Sequence, residues 1–311
     1  MSKSKFIPYL EATFAVVIWG ASFIATKVGL NDVHPVTIVW LRFAIGVVIL
    51  GLTVVMRKQF AWPDRKEWGY FALLGFLGIT FHQWLQSNGL QTSEAGTTAW
   101  IVSTTPVFMA LLGWLVLKEG LGLTKVLGIT LAFAGVLLVS SKGDISSITV
   151  GKFGAPGDVL ILISAVNWAV FSILSRRGLK SHPASLMMFY VMALGWIFTS
   201  ILFFGGPVFG RIANHLVIAF LSGPGFSDIF QLTQNGWISV LFLGIFCSGL
   251  AYIAWYDALQ ALSTAQTGVF LYIEPLVAVV VAAIVLSEKI TYVSLLGGAI
   301  ILAGVWLVNR D

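Results

Sequence analysis

Apolar residues in this chain come in long runs, and polar residues gather in the short joints between them. The runs cover approximately residues 9–28, 35–56, 68–89, 93–117, 124–140, 157–177, 184–204, 236–259, 264–286 and 290–308. Each approaches the ~20 residues that a helix needs to cross the hydrocarbon of a bilayer. Inside lipid the backbone must satisfy its own hydrogen bonds, which a helix does. The pattern therefore predicts an all-α membrane protein of ten transmembrane helices.

The pattern occurs twice. Pro275, Glu288, Gly297 and Gly304 repeat Pro106, Glu119, Gly128 and Gly135 at a constant separation of 169, and Gly244, Leu259 and Gln260 repeat Gly75, Leu90 and Gln91. Toward the front of each copy the separation is 149, for Trp19, Gly29 and Leu30 against Trp168, Gly178 and Leu179, and 148 for His34-Pro35 against His182-Pro183. The extra residues of the second copy must then lie between these registers, in a loop of about residues 205–235. Two five-helix units follow, residues 1–143 and 144–311. Because five is odd, the second copy must enter the membrane from the opposite side. The expected architecture is a pair of inverted-topology repeats about an axis in the membrane plane, as in many secondary transporters.

Composition agrees with the pattern. The chain is 58% hydrophobic and 10% charged, with mean hydropathy +0.93, whereas a soluble domain carries about 25% charged residues. Its net charge of +5 has a topological reading. With both termini cytoplasmic, the inner joints hold Lys3, Lys5, Arg57, Lys58, Arg65, Lys66, Lys118, Lys125, Arg176, Arg177, Lys180 and Arg310, while the outer ones hold Lys27, Lys142, Lys152, Arg211 and Lys289. That asymmetry satisfies the positive-inside rule, so no nucleic-acid partner is needed to explain the basic balance. Lys3 and Lys5 before an apolar run also resemble a secretory leader. The match of Trp19–Leu30 to Trp168–Leu179 argues that this run is a retained first span.

These residues resemble the drug/metabolite transporter superfamily, in the ten-span branch built from two tandem EamA domains. The likeness rests on WGASFIATKVGL with the following HP and WLRF, on TPVFMALLGWLVLKEGL and EPLVAVVVAAIVLSEKI, on YIAWYDAL, and on the closing GGAIILAGVWLV. It implies a carrier with inverted halves and a central cavity that opens alternately to each side. It further implies export of small metabolites such as amino acids from a cytoplasmic (inner) membrane, with proton exchange in some members.

Charges at membrane depth are the first candidates for chemistry, since an ionisable group at a helix centre costs ~2.5–3.5 kcal/mol on insertion scales. If the ninth span starts near Thr264, ten residues at ~1.5 Å rise put Glu274 about 15 Å deep, at the midplane. It reads either as a proton-coupling or substrate site or as a structural carboxyl beside Pro275. Arg42, seven residues into the second span, is a buried charge that can pair with Glu274, with a substrate carboxylate or with structural partners. His82 and Gln86 share a helix face, which reads as a wetted cavity or as an interhelical hydrogen-bond cluster.

Aromatic residues with polar neighbours extend the candidate substrate surface: Trp19 with Phe23, Trp100 with Thr104, Trp168 with Ser172, Tyr252 with Trp255, and Tyr272 near Glu274. Trp19 and Trp168 are symmetry equivalents, which the twofold would carry to opposite walls of one cavity. The alternative for each is interfacial or lipid-facing packing. Pro106 and Pro275 near the middles of spans four and nine suit hinges or static kinks. Glu119 and Glu288 read as surface charges or caps, and Glu11 as interfacial. Gly128 with Gly135, and Gly297 with Gly304, form small-residue stripes that allow close helix contact or a homodimer. In the outer loop, His215–Leu221 is too short to cross and suits a membrane-surface segment.

No cofactor is expected, and the one cysteine, Cys247, forms no metal-ligand motif with the four histidines. Enzymes are disfavoured by the lack of HExxH, P-loop, buried Cys-His or GxSG patterns. The leading expectation is an alternating-access exporter of small metabolites, foremost amino acids including aromatic ones. A multidrug or nucleotide-sugar carrier and a channel are the alternatives, the nucleotide case weakened because Arg42 alone would supply positive charge at depth.

Overall fold

A computed structural model describes residues 3–118, 120, 122–144, 154–209, 224–262, 266 and 269–310. Glu119 and the whole of 210–223, including His215–Leu221, lie outside the described residues. Among those described, regular structure is helical throughout: α1 (Lys3–Gly29), α2 (Pro35–Met56), α3 (Glu67–Gly75), α4 (His82–Leu90), α5 (Ala95–Val102), α6 (Thr105–Leu117) and α7 (Leu123–Ser140). There follow α8 (Pro156–Ser181), α9 (Ala184–Phe209), the one-turn α10 (Phe226–Ile229), α11 (Gln234–Leu241), α12 (Ala251–Ala261), α13 (Ile273–Val285) and α14 (Tyr292–Val308). Two π-helical stretches, Phe76–Phe81 and Phe242–Leu250, join α3 to α4 and α11 to α12.

Seven of these helical stretches are long and apolar enough to cross a bilayer, and two shorter apolar helices, Ile273–Val285 and Tyr292–Val308, stand beside them. This corrects the expectation of ten equivalent rods. The rod Glu67–Leu90 is diluted by His82, Gln83, Gln86 and Asn88. The ninth apolar run is not one helix: its second part starts only at Ile273, after a turn at Leu271–Tyr272. At ~1.5 Å per residue, thirteen residues reach about 20 Å, less than the ~30 Å of a hydrocarbon core.

The repeat is legible in local geometry. Subtracting 169 from the second π-helical stretch gives positions 73–81, which contain the first. Likewise α5 and α6 are separated by a turn at Ser103–Thr104, one residue out of register with the turn before α13. Proline follows both turns. Pro106 and Pro275 therefore sit in the first turn of a new helix, where a missing N–H costs nothing, and not in the interior of a continuous span as the sequence suggested.

Close backbone packing explains the glycines. A Cβ on Gly128 would meet the Gly304 carbonyl oxygen at 2.6 Å, and one on Gly135 the Gly297 carbonyl oxygen at 2.7 Å. Gly128 is the equivalent of Gly297 and Gly135 of Gly304, so the two contacts exchange partners. That reciprocity is what a twofold relation between α7 and α14 requires. Both stripes are thereby covered within one chain, which removes them as the face of a homodimer. A second close approach sets Gly75 of α3 against the Val191 carbonyl and Gly195 of α9, while Gly244 meets Ile45 of α2.

The joints are tied across the two halves. The His34 imidazole caps α2, its Nδ1 accepting from the Val36 N–H at 3.3 Å, and Asp228 accepts from the His34 N–H at 2.9 Å and the Thr37 hydroxyl at 2.6 Å. Arg57 forms a two-pronged pair with Asp257 at 2.8 and 2.6 Å. Glu288 accepts the Ala95 and Gly96 N–H groups at 2.8 and 3.1 Å, with the Lys27 ammonium 3.5 Å away. The cap reading of Glu288 thus has a named target, the amino-terminal end of α5.

Candidate functional site

A cavity of about 80 Å³ lies where α1, α2, α4, α8, α12 and the start of α13 converge. Helix α1 contributes Trp19, Ser22, Phe23 and Thr26; α4 contributes His82, Gln83, Gln86 and Ser87; Arg42, Trp168, Tyr252 and Glu274 come one each from the others, with Leu90, Val102 and Leu271 between them. The face of α1 follows from helical spacing, because 19, 22, 23 and 26 fall on one stripe. Trp19 and Trp168, expected on opposite walls, both line it.

The aromatic walls are held from behind. Trp19 donates its indole N–H to the Cys247 carbonyl at 3.3 Å. Its ring meets Tyr252 edge-on at 5.6 Å and Trp255 at 5.3 Å. On the other side Trp168 packs between Phe171 at 4.8 Å and the His82 imidazole at 4.7 Å. His82 Nδ1 is 3.2 Å from the Ser164 carbonyl, an acceptor only, so Nδ1 carries a proton and donates to it.

Two charges share this space. Arg42 is buried, its Nε donating to the Ser248 hydroxyl at 3.0 Å and its Nη1 to the Gln83 amide oxygen at 3.2 Å. Its guanidinium carbon stands 5.0 Å from the Phe43 ring centre. Glu274 is the second residue of α13. Helix α1 approaches it closely, since a Cβ on Gly20 would meet the Glu274 carbonyl at 2.6 Å. Among the described residues no ion pair involves either Arg42 or Glu274.

Other sequence candidates stand elsewhere. Trp100 is buried, donates to the Ser294 hydroxyl at 3.2 Å and packs flush on Gly298, where a Cβ would meet its ring at 2.4 Å. The Thr104 hydroxyl returns to the Ile101 carbonyl at 2.6 Å and seals the helix break. Trp255 supports Trp19 from behind, Ser172 is absent from the wall, and the Tyr272 hydroxyl accepts from the Asn309 amide at 3.2 Å. Conversely, Ser22, Thr26, Gln83 and Ser87 line the cavity without having been singled out as site residues. Ser22 and Thr26 continue the Trp19–Phe23 face at helical spacing, while Gln83 and Ser87 stand immediately beside His82 and Gln86 in the chain.

The EamA-like transporter family matches residues 7–141 and again 155–310. This chain belongs to that family. An uncharacterized transporter of Archaeoglobus fulgidus is 30% identical over 97% of this chain and 96% of its own length. The uncharacterized transporter YdfC of Bacillus subtilis is 28% identical over 95% of this chain and 89% of its own. A protein of Streptantibioticus cattleyicolor named "Probable terminal-alkyne amino-acid exporter" is 26% identical over 100% of this chain and 95% of its own. One solved crystal structure aligns over 99% of this chain and 96% of that one with a TM-score of 0.64 at 19% identity, a likeness of fold. The EamA protein described here is a multi-pass membrane transporter, not an enzyme.

Proposed function

We propose that this transporter is an alternating-access exporter of small metabolites, foremost amino acids including aromatic ones, driven by proton exchange through Glu274. The observation that carries the reading is a single cavity bounded by Trp19 and Trp168 that also holds Arg42, His82 and Glu274. Indole faces suit apolar side chains and the charged and amide groups suit a polar head, which together describe an amphipathic solute. The relative named for export of an amino acid points the same way.

In this reading the chain crosses the cytoplasmic membrane ten times, as units 1–143 and 144–311 of inverted topology with both termini cytoplasmic. The polar rod Glu67–Leu90 and the broken ninth run then count as crossings that line water. The exchanged glycine contacts between α7 and α14 and the matching π-helical stretches support it. The breaks before Pro106 and Pro275 serve as hinges about which the halves rock. A nucleotide-sugar cargo would call for several cations around the cavity, and among the described lining residues Arg42 is the one permanent cation.

Purified protein in proteoliposomes should show saturable counterflow of labelled L-phenylalanine or L-leucine. Absence of flux for a panel of all common amino acids would remove the amino-acid reading, and non-saturating conductance in single-channel recordings would replace the carrier by a channel.

A further inference from the structure

We infer that Arg42 is the carboxylate anchor of the cavity and that, with Glu274 as the counter-charge for an amine, it restricts cargo to zwitterions carrying one carboxylate. The inference rests on the amino-acid reading above and assigns its specificity.

A guanidinium has five N–H donors. Ser248 takes one and Gln83 another, leaving three without a protein acceptor among the described residues. Buried polar side-chain atoms that are fully enclosed and unpartnered are confined, among the described residues, to the Ser140 hydroxyl. The free edge of Arg42 must therefore face open space, and the space it lines is the cavity. The same reasoning applies to Glu274, which is half-buried, lines the same cavity and has no side-chain partner among the described residues.

The chemistry of the two partners narrows the role. Ser248 and Gln83 are neutral, and Phe43 offers only the face of a ring. They orient the guanidinium without neutralising it. An unneutralised cation at this depth is costly to keep, and the fork of free N–H groups matches a carboxylate in two-pronged geometry. Had Arg42 and Glu274 paired with one another, the cavity would be electrically closed. They share it unpaired, so a solute bearing both signs satisfies both. The remaining wall carries hydroxyl, amide and aromatic groups and the His82 imidazole, so no second permanent charge of either sign faces the cavity, which disfavours dicarboxylates and diamines.

The test uses the full-length protein in detergent and in proteoliposomes, with three matched probes: L-phenylalanine, L-phenylalaninamide, which lacks the carboxylate, and 3-phenylpropionate, which lacks the amine. The wild type should bind phenylalanine at least about tenfold tighter than either analogue, the scale of one charge-assisted hydrogen bond. In Arg42→Gln the preference for phenylalanine over its amide should collapse, and in Glu274→Gln the preference over 3-phenylpropionate should collapse. Arg42→Lys, which keeps the charge but loses the fork, should fall between. Equal binding of phenylalanine and its amide by the wild type would overturn the anchor while leaving amino-acid transport standing. So would an Arg42→Gln protein of normal melting behaviour that retains the preference. If Arg42→Gln fails to fold, the wild-type probe ratios and Arg42→Lys decide the matter. A wild type that binds no probe and moves no amino acid overturns both readings together.

Discussion

Glu274 and Arg42 break the internal symmetry at the residue scale. The equivalent of Glu274 in the first copy, 169 residues earlier, is Thr105, and that of Arg42 in the second, 148 residues later, is Tyr190. The duplicated backbone supplies the cavity, and the charge in it is asymmetric. Glu274→Gln should abolish the dependence of export on a pH gradient, read as substrate counterflow at two internal pH values. An unchanged pH response would make the carboxyl structural. His34 gives a second residue-scale prediction. Burial holds its imidazole below the ordinary value, against an opposing pull from Asp228. Folding then favours the neutral ring, which is also the form whose Nδ1 can accept from Val36. The contribution to stability is full above the unfolded value of about 6.5 and is lost as pH falls through the lower folded value. His34→Asn, which keeps a capping oxygen, should flatten the fall in melting temperature between about pH 7 and pH 5; an unaltered slope would refute it.

At the scale of the element, glycine decides how near the helices come. A side chain on Gly135 would press on the Gly297 backbone, which cannot turn aside as a side chain can. Gly135→Leu should therefore lower stability by the ~1–3 kcal/mol or more of overpacking, read as a melting temperature in detergent. A Cβ on Gly69, in α3, would meet nothing within 4 Å, so Gly69→Ala should be neutral or stabilising by ~0.5–1 kcal/mol. Equal effects at the two sites would show that α7 and α14 do not pack backbone to backbone. The helix breaks before Pro106 and Pro275 belong to this scale too. Apolar composition marks a run as lipid-soluble but carries no mark of where the rod stops and restarts, so both runs read as continuous.

At the scale of the molecule, inverted halves require that the ends of each unit lie on opposite sides of the membrane. Cys247 is buried, so replacing it by alanine gives a background for engineered thiols. Lys58, Lys142, Lys289 and Arg310 are all exposed. Lys58→Cys and Arg310→Cys should react with an impermeant maleimide only from the cytoplasmic side, and Lys142→Cys and Lys289→Cys only from outside. Labelling of Lys142→Cys and Arg310→Cys from the same side would end the inverted arrangement.

Sequence by itself determined the helical class and the duplication, and it named eight residues that the structure brings around one cavity: Trp19, Phe23, Arg42, His82, Gln86, Trp168, Tyr252 and Glu274. It could do so because membrane depth penalises charge and exposed backbone at every position, and periodicity records that penalty locally. Tertiary structure alone decided that Trp100, Thr104 and Trp255 support helices instead of facing the cavity, and that the glycine stripes meet within one chain. It also decided that Arg42 and Glu274 share a void without pairing. Those outcomes depend on which helix stands beside which, and neighbours brought together from opposite halves of the chain leave no trace in the spacing of either half.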